Sequence, residues 1–235
     1  MQSLARILTG FLLLDGTLLP EQRVLLISKD MTRLLASTTT MDDGTFNISV
    51  PAPYRDNEVI LLVKIQGPII ALAHRVIDLK SNAAGPHDIR IDTTEGNFYH
   101  IHGDFITTSG WPPYLMLFVD PVHLDGIPTQ LEQFFYQRDE QVDEATFFRL
   151  RIEDRSFHLK VQRGTYRIGG DYLNYFRPMM VNPDFENYVV TRLEADGESQ
   201  PGEGNRYSGY LIEVKRDRTI TMTIEVLPDE ELSPP

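Results

Sequence analysis

The stretch "YHIHGD" concentrates more chemistry-bearing side chains than any other part of the chain. His100, His102 and Asp104 alternate along it, and on an extended strand alternate residues share one face. Two imidazoles and a carboxylate on one face can ligate Zn²⁺ or another divalent ion at about 2.0–2.3 Å. With a coordination position left for water, such an ion would support metal-dependent hydrolysis. The competing reading is the polar outer face of a strand whose Ile101 and Phe105 point into a core. His74, His87, His123 and His158 have no such companions in the sequence and read as surface or capping residues.

A second candidate is "GTYRIGGDYLNYFRPMMVNPDFENYVV". It holds Tyr166, Tyr172, Tyr175, Phe176, Phe185 and Tyr188 with Arg167, Arg177 and two methionines. Aromatic, Arg and Met side chains are enriched at protein interfaces, so a protein partner is the first reading. Exposed tyrosines beside carboxylates also stack on sugar rings, which makes a carbohydrate-binding module an alternative. Strands favour Tyr and Phe for packing alone, which leaves ordinary core aromatics as a third. Trp111, the single tryptophan, stands beside Pro112-Pro113 at a turn and joins the binding candidates.

Nothing in the sequence supplies a nucleophile motif: there is no G-x-S-x-G, H-E-x-x-H or phosphate loop. The chain has no cysteine, which removes disulfides, thiolate catalysis and sulfur-ligated zinc. "DDG" at 42–44 reads as a turn and not as a Ca²⁺ loop, because the flanking ligands are missing. The expectation is therefore a non-enzyme with no cofactor, the divalent ion apart.

The elements that must position these residues are short strands. "ILTGFLLL", "RVLLIS", "LLASTTT", "TFNISV", "EVILLVKI", "HRVIDL" and "HDIRID" follow one another with turn residues between them. "TFNISV" alternates cleanly, with Phe46, Ile48 and Val50 on one face. Such a run of short strands without helical periodicity predicts a β-sandwich. The second part repeats the scheme. "DDGTFNISVPAPY" from Asp42 aligns with "EDRSFHLKVQRGTY" from Glu153, matching Phe46, Ile48, Val50 and Tyr54 to Phe157, Leu159, Val161 and Tyr166. The period is about 110 residues, too long for a solenoid. Two tandem β-domains are expected, at 1–95 and 96–235.

The second copy is larger. Gly16 to Phe46 spans 30 residues, and Gly110 to Phe157 spans 47. The excess lies in "DGIPTQLEQFFYQRDEQVDEATFF", where Pro128 opens a helical pattern with Leu131, Phe134 and Phe135 at i, i+3 and i+4. A short helix or an extended hairpin across one face is expected. A second enlargement falls between Tyr166 and Tyr210, and the acidic tail "LPDEELSPP" reads as loose.

Charge narrows the partners. The net charge is −12, and it is uneven: nine basic and eleven acidic side chains before residue 96, thirteen and twenty-three after it. Such a chain is repelled by nucleic acid and by anionic membrane surfaces, so neither is an expected partner. "TGFLLLDGTLLPEQRVLLIS" at 9–28 is too interrupted for a membrane span or a signal peptide, since Asp15-Gly16 breaks the apolar run. Its layout recurs at 103–119, which identifies it as two strands and a turn. The expected setting is cytoplasmic, or exported within an assembly.

The pattern "G-x-L-L-x-D-G-x-L-L-P-x-x-x-V-x-L" followed by "D-D-G-x-F-x-I-x-V-P" and a tyrosine resembles the carboxypeptidase regulatory-like domain, which has the transthyretin (prealbumin-like) fold. The resemblance covers residues 4–92; copy two is more divergent, with Arg155 where Gly44 stands. It implies an all-β chain of two tandem transthyretin-like Greek-key sandwiches, the second enlarged. It also implies an accessory module and not a catalyst. The function expected is a structural or protein-binding module of a larger assembly or surface structure. The alternatives are a carbohydrate-binding module at 166–188 and a metal-dependent hydrolase at His100, His102 and Asp104.

Overall fold

The computed structural model describes residues 6–65, 67–80, 86–107, 115–134, 149–152, 154–170, 188–202 and 209–226. Their regular elements are strands, apart from one short 3₁₀ helix. In copy one, β1 (Arg6–Leu14) turns through Asp15-Gly16 into the two-residue β2 (Thr17–Leu18). Both turn residues have positive φ, 48° and 79°, the conformation whose twist matches that of the flanking strands. There follow β3 (Arg23–Ser28), β4 (Leu34–Thr39), β5 (Thr45–Val50), β6 (Glu58–Ile65), β7 (Ile69–Asp78) and β8 (His87–Ile91).

These strands make two layers. β1 pairs antiparallel with β2 and β5 and parallel with β8. Strands β4-β3-β6-β7 run in that order in the second layer. Leu8, Leu12, Phe46, Ile48 and Val50 of the first layer meet Val24, Leu26, Val59, Leu61 and Val63 of the second in one core. The alternation of "TFNISV" is thus a strand with one wet face. "EVILLVKI" is apolar throughout because both faces of β6 are covered.

Copy two has β9 (Phe98–Thr107), β10 (Leu115–Leu124), a 3₁₀ helix (Thr129–Phe134), β11 (Arg149–Ile152), β12 (Ser156–Gln162), β13 (Gly164–Gly170), β14 (Tyr188–Ala195), β15 (Glu198–Ser199), β16 (Tyr210–Val214) and β17 (Arg218–Val226). Its pairings repeat those of copy one. β9 pairs antiparallel with β12 and parallel with β17, as β1 does with β5 and β8. The order β11-β10-β13-β16 matches β4-β3-β6-β7. The repeat extends to single bonds: Leu12 N–H donates to the Gly44 carbonyl at 3.0 Å, and Phe105 N–H to the Arg155 carbonyl at 2.9 Å. Arg155 therefore fills the place of Gly44 without that glycine's left-handed backbone (φ 74°).

Both enlargements are additions to this frame. The first carries the 3₁₀ helix, whose Leu131 and Phe134 are buried. The second carries β14 and β15, which extend the sheet beyond β17. The tyrosine match is displaced: Tyr54 lies in the loop before β6, whereas Tyr166 lies within β13.

The copies are fused. β12 pairs in parallel with β7 through Lys160↔Ile69 and Val161↔Ile70, giving one nine-stranded sheet in the order β15-β14-β17-β9-β12-β7-β6-β3-β4. Lys160 N–H donates to the Pro68 carbonyl, and Leu72 N–H to Gln162 Oε1. On the side of this sheet away from the first core, Leu25, Ile27, Ile60, Leu62 and Leu72 join the core of copy two with Leu117, Leu131, Phe134 and Ile168.

Candidate functional site

β9 and β12 bring the histidines together. In their antiparallel register His158 faces His102, Lys160 faces His100 and Ser156 faces Asp104. Ile101, Gly103 and Phe105 point inward, so the polar residues of β9 stand on the outer face. His100 Nδ1 lies 3.0 Å from His158 Nε2, and His158 Nδ1 lies 3.0 Å from His102 Nδ1. The ring centroids are 4.9 Å and 4.3 Å apart. A neutral imidazole carries one N–H, so each contact has one donor and one acceptor, and His158 mediates between its neighbours. Burial, then His102 and His100, holds the His158 ring below the usual imidazole range, against the pull of Asp217. Asp217 Oδ1 accepts the backbone N–H of His100 at 2.8 Å.

This corrects the reading of His158 as isolated. It is the third member of the cluster, while Asp104 stands further along the face. The signal was in the sequence: the aligned strands "YHIHGD" and "SFHLKV" place a histidine opposite a histidine once they pair. As they stand, no three His, Asp or Glu groups among the described residues are arranged to hold a metal ion.

Of the other histidines, His87 differs from expectation, whereas His123 lies on the surface as expected. His87 is buried, beside the Gly10 backbone. His123 Nδ1 lies 2.6 Å from Glu132 Oε1, tying β10 to the 3₁₀ helix.

Of the aromatic binding candidates, Tyr166 is fully buried and its hydroxyl donates to the Gln162 carbonyl. Its ring is core and offers no face to a ligand, because β13 turns that side inward. Trp111, Tyr172, Tyr175, Phe176 and Arg177 lie outside the described residues.

Sequence reasoning missed a buried pair of opposite charges between the copies. Lys64 is 1% exposed and Asp120 is 4% exposed. Lys64 is on the face of β6 that meets copy two, because Val63 and Ile65 point the other way into the first core. Burial and the Arg23 guanidinium push the Lys64 amine down to about 7, while the Asp120 carboxylate pulls it up. No described helix is long and apolar enough to cross a membrane.

No family model matches the chain, and no curated protein matches it. Among solved structures it is similar to the shaft pilin SpaA of Lactobacillus rhamnosus GG, at 8% identity and a TM-score of 0.32, covering 95% of this chain and 98% of that one. The major pilin of Streptococcus pyogenes matches at 9% identity and a TM-score of 0.30, covering 94% and 97%. The Bacillus anthracis TIE protein matches at 11% identity and a TM-score of 0.29, covering 95% of this chain but 34% of that one, so the chain spans about a third of its length. Superpositions this loose carry no inference about assembly or activity.

Proposed function

We propose that this protein is a non-enzymatic structural or protein-binding module of a larger assembly or surface structure, built from two transthyretin-like sandwiches divided near residue 95. The observation that carries the reading is β16. It is the outer strand of its four-stranded sheet, with β13 as its partner among the described strands. Leu211 on it is 45% exposed, and Glu213 beyond it is exposed too. A sheet edge bearing an exposed large apolar side chain is a template for a strand or surface of another chain.

The test is a pull-down from the source organism, wild type beside Leu211→Lys, read by mass spectrometry. A partner retained by the first and lost by the second supports the reading. Identical captures, or none from either, overturn it.

A further inference from the structure

We propose that the outer face of β9 and β12 is a binding site for a late first-row divalent cation (Zn²⁺, Ni²⁺ or Cu²⁺), held by His100, His102 and His158. The inference is independent of the protein-binding reading. Imidazole is the ligand such ions prefer when no thiolate is present, and the chain has no cysteine.

Distance supports it. Two imidazole nitrogens bound to one tetrahedral ion at about 2.0–2.1 Å stand about 3.3 Å apart. The His100–His158 and His158–His102 contacts are both 3.0 Å. An ion can therefore bridge such a pair with a few tenths of an ångström of widening, once the N–H of the donor ring has shifted to that ring's other nitrogen.

His158 uses a different nitrogen in each contact, so one ring must turn before all three reach the same ion. His102 and His158 are exposed side chains, and such turns take picoseconds to nanoseconds. The Asp217 carboxylate accepts the His100 backbone N–H beside the rings, in a chain of net charge −12, a field that favours a cation. Lys160 is the cation on that face, and it is drawn aside to Thr93 Oγ1 at 2.6 Å.

The test is isothermal titration of the full chain with ZnCl₂ and with NiCl₂ at neutral pH, with native mass spectrometry for stoichiometry. Nitrogen NMR of the histidine rings reports which of them take the metal. The expected result is one ion per chain in the micromolar range, with His100, His102 and His158 shifted. His158→Ala and His102→Gln should each weaken binding by at least about tenfold. Asp104→Asn should leave it within about twofold, since Asp104 lies outside the ring cluster. The side chains changed are on the outer face, so the melting temperature without metal should hold. Absence of saturable binding, binding unaffected by His158→Ala, or binding lost in Asp104→Asn would each overturn the assignment.

Discussion

The Phe157 ring occupies the space beside Gly103 that a side chain would take: a Cβ on Gly103 would lie 1.9 Å from Phe157 Cε1. Copy one has the same relationship, with Phe46 Cζ 2.6 Å from the Cβ position of Gly10. Each pair lies directly across its strands, Gly103↔Phe157 and Gly10↔Phe46. Gly103→Ala should therefore overpack the core and lower stability by about 1–3 kcal/mol. Adding Phe157→Leu should recover part of that loss. Urea unfolding of the two variants checks both statements, and additive losses would show that the ring is not the obstacle.

Lys64 predicts an alkaline gain. Its amine titrates near 7 in the folded chain and at its ordinary 10.5 when unfolded. Between these values the unfolded state binds more protons, so stability should rise with pH, on the order of 1.4 kcal/mol per unit. Below 7 both states are protonated and the full cost of burying the charge is present. Lys64→Met should flatten the slope of unfolding free energy between neutral pH and about 9. It should also be destabilising overall, because Asp120 keeps its buried carboxylate. Adding Asp120→Leu should remove much of that loss. A slope unchanged in Lys64→Met would sink the assignment.

Asp15 ties the first turn to the end of β8. Its carboxylate accepts from Thr93 N–H at 2.7 Å and Thr93 Oγ1 at 2.6 Å, and these bonds hold its titration below the ordinary carboxylate range. A lowered folded value means stability that is present above the unfolded value and lost as pH falls through the folded one. Asp15→Ala should remove about 1 kcal/mol at neutral pH. It should also weaken the acid dependence of the melting temperature. Asp15→Asn should lose less, because asparagine also tolerates the left-handed backbone at φ 48°.

Tyr166→Phe should lower stability by about 1 kcal/mol by stranding the Gln162 carbonyl. Burial pushes the phenol well above its ordinary value, so the unfolded chain loses this proton first and stability should fall as pH rises beyond about 10. The phenylalanine variant should lack that part of the alkaline loss. Any sugar or protein affinity of the chain should be unchanged, and a loss of affinity at constant stability would return the ring to a binding role.

Much of the strand frame was legible in the residues. "TFNISV" and "EVILLVKI" are β5 and β6 to the residue, because one-sided and two-sided burial leave different hydrophobic patterns. The repeat was legible because Phe46, Ile48 and Val50 in one copy and Phe157, Leu159 and Val161 in the other are the buried face of the corresponding strand. The fused sheet was not, since the β7–β12 seam rests on backbone pairing that any sequence can make, with the Gln162 side chain as one addition. The histidine cluster was half legible: His100 and His102 share a strand, whereas His158 joins them only through pairing across about 55 residues. Lys64 was hidden because a single lysine in an apolar run reads as an exposed tip until its partner layer is known.

Strand β17, the last one described, sits in the interior of the sheet between β9 and β14. During synthesis, copy one can close its own layers once β8 has left the ribosome, since β1 through β8 need no later strand to pair within it. Copy two has no such freedom. β9 waits for a neighbour more than a hundred residues downstream, and until β17 arrives one of its backbone edges is open. The nascent second half is thus the stage at which this chain most needs protection from pairing with the wrong strand, and copy one, already folded, offers β7 as the template on which β12 can begin.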